Sequence, residues 1–267
     1  ILGRHKDAIL NFDSALKNNP DDLQTLYSKA LSLENIGDQS IALSIHEKIL
    51  RINPEHVGAL TQSGKIFSDM EKFDEALSFF DKALRNDPHN AEVNFQKGLV
   101  FSKIGNHQQA ISLYDVAIFH NPNNPEFFFN KGHSELFLGN YSQALTYFNK
   151  TLEIVPKHFD ALLNKGIILK NYKKFTDALQ TLLLAEEVSP NNLILINNIG
   201  QCHSKLGNND DAIRYFDKSI QTNPNNFEGY LHKGILLESM DAHTDAVNVF
   251  NKALKISPNN SIALFNK

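Results

Sequence analysis

The chain has 267 residues, 42% of them hydrophobic, with 26 basic and 30 acidic side chains and a formal net charge of −4. That balance gives no reason to expect a nucleic-acid partner. No run approaches the roughly 18 apolar residues of a membrane span. Cys202 is the one cysteine, which excludes an intrachain disulfide.

Taken in order, the chain repeats one phrase. Prolines stand at 20, 54, 88, 122, 156, 190, 224 and 258, each 34 residues after the last, with only Pro125 outside the series. A fixed period in this range marks a solenoid, in which each unit buries its core against its neighbours. Residues 1–22 are the back half of a copy. Full copies follow at 23–56, 57–90, 91–124, 125–158, 159–192, 193–226 and 227–260, and 261–267 begin another. The spacing therefore predicts one array over 1–267, with the first and last copies incomplete, as in a segment of a longer protein.

Each copy predicts two helices. In 57–90 the apolar positions are Leu60, Gly64 and Phe67, then Phe73, Ala76, Leu77, Phe80, Ala83 and Leu84, at the steps of three and four that mark one face of each helix. The eighth position of a copy is Ala30, Gly64, Gly98, Gly132, Gly166, Gly200 or Gly234, and the twentieth is alanine throughout, from Ala8 to Ala246. A mid-helix glycine costs about 1 kcal/mol relative to alanine, so the repeated glycine implies close helix–helix approach, with the small residue facing the small alanine. Gly3, Gly37, Gly105, Gly139 and Gly207, at the fifteenth position, fit a left-handed cap just past the first helix. Proline stops the second helix, and the polar pair after it, such as Asn123-Asn124, can cap the next one. The seventh position is often lysine (Lys29, Lys97, Lys131, Lys165, Lys233, Lys267), which can lay its stem on the core edge and keep its ammonium in water.

With its Leu-Gly, aromatic, Ala, Phe and Pro at set offsets, the sequence resembles the tetratricopeptide repeat pattern along its whole length. The resemblance implies an all-α fold, a right-handed superhelical solenoid of antiparallel helix pairs whose first helices line a concave groove. Tryptophan is absent, and Asn94 interrupts the large apolar residue of the fourth position, where Phe95 can partly substitute. In this family the groove is built from positions two, five, six, nine, twelve and thirteen. The sixth reads Ser28, Gln62, Gln96, Asn130, Asn164, Asn198, His232 and Asn266. An amide offers a donor and an acceptor and can pair with a peptide backbone whatever its side chains. Such a row resembles the asparagine ladder of the superhelical arm of O-linked N-acetylglucosamine transferases. The fifth position carries Tyr27, Phe95, Phe129, Leu163, Leu231 and Phe265, and the ninth Leu31, Leu99, Ile167 and Ile235. They form either apolar anchor sites beside the amides or packing between first helices. The clamp by which some members hold acidic chaperone tails needs Lys at the fifth position and Asn at the ninth, and no copy has either.

No catalytic, metal-binding or cofactor-binding motif is present. His46 and His203 read as hydrogen-bonded core histidines, Cys202 as a small core residue, and Glu135 as a carboxylate needing a partner, with Lys131 or Lys165 the candidates. The expected function is a non-catalytic scaffold that binds an extended peptide or partner protein, with neither nucleic acid nor membrane as partner. A second reading is the substrate-recruiting arm of a larger enzyme, such as a glycosyltransferase. A third is end-to-end self-association through uncapped termini.

Overall fold

The protein is described here by a computed structural model of residues 2–266, in which sixteen helices and no strand occur among the described residues. They fall into two compact units. Residues 1–140 hold α1 (Leu2–Asn18), α2 (Leu23–Asn35), α3 (Gln39–Ile52), α4 (Val57–Asp69), α5 (Phe73–Asn86), α6 (Ala91–Lys103), α7 (His107–His120) and α8 (Pro125–Phe137). Residues 141–267 hold α9 (Tyr141–Ile154), α10 (Phe159–Asn171), α11 (Phe175–Glu186), α12 (Leu193–Lys205), α13 (Asn209–Thr222), α14 (Phe227–Ser239), α15 (His243–Ile256) and α16 (Ser261–Asn266). Within each unit consecutive helices pack together. First helices of successive copies also touch, α4 on α6 and α6 on α8 in one unit, α10 on α12, α12 on α14 and α14 on α16 in the other. The fold is an all-helical α-solenoid of helix pairs.

The helix boundaries follow from local chemistry. Asn53, Asp87 and Asn121 leave the helical region at φ −132°, −139° and −140°, each just before a proline. The last residue of a copy then caps the next helix. Asp22 accepts from the Thr25 amide at 2.9 Å, Asn90 from Val93 at 3.1 Å, Asn192 from Leu195 at 3.0 Å and Asn260 from Ala263 at 3.0 Å. His56 and His158 occupy the same place and do the same work through Nδ1, at 3.0 and 3.2 Å from the amides of Ala59 and Ala161. Each of the asparagine caps is worth about 1 kcal/mol.

Gly37, Gly105, Gly139 and Gly207 adopt positive φ between 77° and 91° at the first-helix C-cap, as the spacing predicts. Gly3 lies within α1 instead. Glu71, Lys173 and Asp241 hold the same position without glycine and are forced to φ 59°, 60° and 60°. The turn is fixed by the backbone, since the amide after each reaches back to the helix: Lys174 to the Leu169 carbonyl at 3.0 Å, as Asn106 does to Phe101 at 2.8 Å.

Close approach at the mid-helix glycines is present, but the facing residue differs from the expectation. A Cβ on Gly64, Gly98, Gly200 or Gly234 would lie 2.5–2.6 Å from a ring atom of Phe80, Tyr114, Phe216 or Phe250, and one on Gly166 2.5 Å from Leu182. The twenty-fourth position, one turn beyond the alanine, lies across the glycine. The alanines remain fully buried beside it.

The seventh-position lysines are also corrected. Four of them pair their ammonium groups with an aspartate of the preceding copy rather than with water alone: Lys29 with Asp13 at 2.5 Å, Lys97 with Asp81 and Lys233 with Asp217 at 2.6 Å, and Lys131 with Asp115. With the aspartates half exposed, each pair is worth about 0.2–1 kcal/mol. Lys267 lies outside the described residues. Glu135 accepts from Asn140, whose Nδ2 donates to Oε2 at 2.8 Å. His46 is buried with Nε2 2.6 Å from Glu34 Oε1. Asn94 is buried by donating to the carbonyls of Pro88 and Asn90 at 3.0 and 2.9 Å, and Phe95 packs between Tyr114 and Phe127.

Two substitutions separate these effects. Lys173→Gly relieves the left-handed backbone and raises unfolding free energy by about 0.5–1 kcal/mol. Gly98→Ala drives Cβ into the Tyr114 ring and lowers it by about 1–3 kcal/mol. Urea unfolding followed by circular dichroism measures both.

Candidate functional site

Because each copy places its first helix at the same phase, a given repeat position recurs on the same face. The two units hold clefts built from the same positions. In the first, about 480 Å³ opens between α6 and α8, lined by Leu99, Ser102 and Lys103 on one side and by Asn130, His133 and Phe137 on the other. In the second, about 410 Å³ opens along α10, α12 and α14, lined by Lys170 and Asn171, then Gln201, Ser204 and Lys205, then His232 and Ile235. Three periods of 34 residues carry Leu99 onto Gln201, Ser102 onto Ser204, Lys103 onto Lys205, Asn130 onto His232 and His133 onto Ile235. In the first cleft Phe137 is 64% exposed, with its ring stacked on His107 at 4.7 Å.

The sixth-position residues are not equivalent. Asn130, Asn164 and Asn266 each donate Nδ2 to the carbonyl four residues back in their own helix, at 2.8, 2.8 and 2.7 Å. That bond fixes the side chain and, within the described residues, leaves Oδ1 uncommitted. Asn198 makes the same bond to Ile194 at 2.7 Å, but its Oδ1 accepts from Lys170 Nζ at 2.6 Å and it is only 7% exposed. Gln96 Nε2 donates to Glu92 Oε1 at 2.8 Å, while Ser28 and Gln62 are half-buried. His232 faces Gln201, with 3.0 Å between His232 Nε2 and Gln201 Nε2.

The apolar strip divides in two. Phe95, Leu163 and Leu231 of the fifth position are buried and join the core. Tyr27 and Phe129 are half-buried, and Phe265 on α16 is 90% exposed. At the ninth position Leu99 and Ile167 are half-buried and Ile235 is exposed. Packing between helices therefore claims much of the fifth row, and the ninth row lines the clefts.

Four cleft residues escape a reading of the fifth and sixth positions: Lys170, Gln201, Ser204 and Lys205. Their signal is their place at positions nine, twelve and thirteen, where polar side chains recur. Lys170 Nζ donates to Asn198 Oδ1 at 2.6 Å and to Gln201 Oε1 at 2.8 Å. With its carbonyl so engaged, Gln201 turns its amino group to His232, and His232 Nε2 accepts as the unprotonated nitrogen. Burial holds Lys170 and His232 below their usual ranges. Burial also pushes the neighbouring Cys202 thiol up to about 11, so it remains protonated at neutral pH. Among the described residues no cluster of three His, Cys, Asp or Glu side chains could hold a metal, and no helix is long and apolar enough to cross a membrane.

Tetratricopeptide repeat family models match residues 67–128, 129–192, 195–226 and 227–260. The chain belongs to the tetratricopeptide repeat family, whose members mediate protein–protein interaction. No curated protein matches the sequence. Similar solved structures include MamA (residue 41 to the end) from Desulfovibrio magneticus RS-1, 23% identical over 64% of this chain and 97% of that one, with a TM-score of 0.61. A chain of the APC/C hetero-tetramer Cut9–Hcn1 is 20% identical over 98% of this chain and 52% of its own, with a TM-score of 0.64. YrrB, a tetratricopeptide protein with an unusual peptide-binding site, is 25% identical over 69% of this chain and 95% of its own, with a TM-score of 0.57.

The cleft network gives a pH dependence. His203 and His232 are both held by burial below 6.5, the value of an exposed histidine. Between the folded and unfolded values the unfolded chain binds more protons, so their contribution is full above pH 6.5 and is lost as pH falls from there through the lower folded values. Melting temperature should drop between pH 7.5 and pH 5.5, values of roughly one unit either side. The drop should be smaller in His232→Gln, whose amide can still take the Gln201 bond.

Proposed function

We propose that the protein is a non-catalytic scaffold that holds an extended peptide segment of a partner against the first-helix wall of its units. The observation that carries this reading is the coincidence of the two clefts at the same repeat positions in separate units. A site generated by the period suits a ligand that is itself periodic. Neighbouring first helices pack about 8–10 Å apart and an extended peptide rises about 3.3 Å per residue, so the wall meets roughly every third residue. The uncommitted Oδ1 atoms of Asn130 and Asn164 supply acceptors for peptide amides. Leu99 in the first unit and Ile167 and Ile235 in the second supply apolar seats. The likeness to YrrB, itself described by a peptide-binding site, supports a peptide as the ligand.

Selection of random blocked dodecapeptides against the chain, followed by affinity measurement, tests this. Asn130→Ala with Asn164→Ala should weaken the selected peptides by about tenfold, equivalent to about 1.4 kcal/mol, with helicity unchanged. Ser112→Ala, on the exposed side of α7, should leave affinity as it was. Peptides that bind equally well to both variants would overturn the wall as the binding surface.

A further inference from the structure

The cleft of the second unit is chemically unlike that of the first, and the difference lies in a cation. Lys170 reaches from the last turn of α10 to α12, where both its partners among the described residues are neutral oxygens, on Asn198 and Gln201. An ammonium has three donors, so one N–H remains. Among the described residues Lys170 forms no ion pair, whereas Lys29, Lys97, Lys131 and Lys233 all do. Lys205 stands in the same cleft, and no aspartate or glutamate lines it. The carboxylate whose field reaches Lys170, Glu228, has its Oε2 accepting from Asn197 Nδ2 at 3.2 Å. A partly buried charge without a counter-ion is costly, and here its surroundings hold it in position rather than neutralise it.

We propose that this cleft takes the carboxylate of an aspartate or glutamate side chain of a bound peptide, paired with the free N–H of Lys170 and flanked by Lys205. Phe175 and Ile235 line the same cleft and receive the methylenes of that side chain. A side-chain carboxylate fits better than a chain terminus because the wall of this unit offers acceptors for a peptide backbone at Asn164 on α10, a helix that itself lines the cleft, and past the cleft at Asn266 on α16. The proposal rests on the peptide reading above and adds to it a sequence requirement: an acidic residue at one point of the ligand. Gln201 links this subsite to His232, so the subsite, Lys170 included, is built from three successive copies.

Two measurements on the full chain decide it. Blocked nonapeptides of alternating alanine and leucine, with a central Glu, Gln, Lys or phosphoserine, are compared by fluorescence anisotropy beside a Gln peptide with a free carboxyl terminus. The Glu peptide should bind about tenfold more tightly than the Gln peptide, and Lys170→Met, which keeps the aliphatic stem, should abolish the preference. Equal binding of Glu and Gln peptides overturns the carboxylate subsite and leaves the groove standing. Tighter binding of the free-terminus or phosphoserine peptide overturns it in favour of those groups. If none of the peptides binds, the groove reading fails, and sodium acetate still tests the subsite alone. Acetate should shift the Lys170 side-chain NMR signals at concentrations that leave Asp13-paired Lys29 unmoved, and parallel shifts of the two lysines would overturn the proposal.

Discussion

A ring laid across a glycine sets the geometry on which the rest of this structure depends. Phe80 on Gly64, Tyr114 on Gly98, Phe216 on Gly200 and Phe250 on Gly234 leave no room for a single added carbon. The contact brings the two helices of each of these copies close together. Each glycine sacrifices about 1 kcal/mol of helix propensity, which burial of a whole aromatic ring, worth about 1.5–3 kcal/mol, more than offsets. Leu182 over Gly166 shows that the contact needs bulk rather than aromaticity.

Once the pair geometry is fixed, the period carries chemistry from helix to helix. Lysine at the seventh position finds aspartate of the previous copy because both recur at constant phase. The same constancy stacks the ninth, twelfth and thirteenth positions into clefts. Function in such a fold comes from what occupies these few positions. A leucine, serine and lysine in one unit and a glutamine, serine and lysine in the other make similar hollows of different polarity.

Much of this was legible in the residues. Proline spacing gave the helix pairs, the residue after each loop gave the caps, and glycine at the fifteenth position gave the left-handed turn. That turn persists at Glu71, Lys173 and Asp241, where backbone hydrogen bonding overrides side-chain preference. What was not legible depends on contacts between copies. The partner of Gly64 is displaced one turn from the expected alanine, because ring orientation is a packing outcome. Asn198 resembles Asn130 and Asn164 in sequence, yet a long side chain from the preceding copy, Lys170, takes its oxygen. Position alone predicts an equivalent row, and the neighbours decide which members stay open. The amide row is thus partly internal structure and partly available surface, a distinction that one-dimensional periodicity does not contain.

The most direct measurement is hydrogen–deuterium exchange of the chain with and without a selected peptide. Slowed exchange concentrated in α6, α8, α10, α12 and α14, with α7, α11 and α13 unchanged, is the result this account predicts. Protection confined to those second helices, with the first helices unaffected, would contradict it.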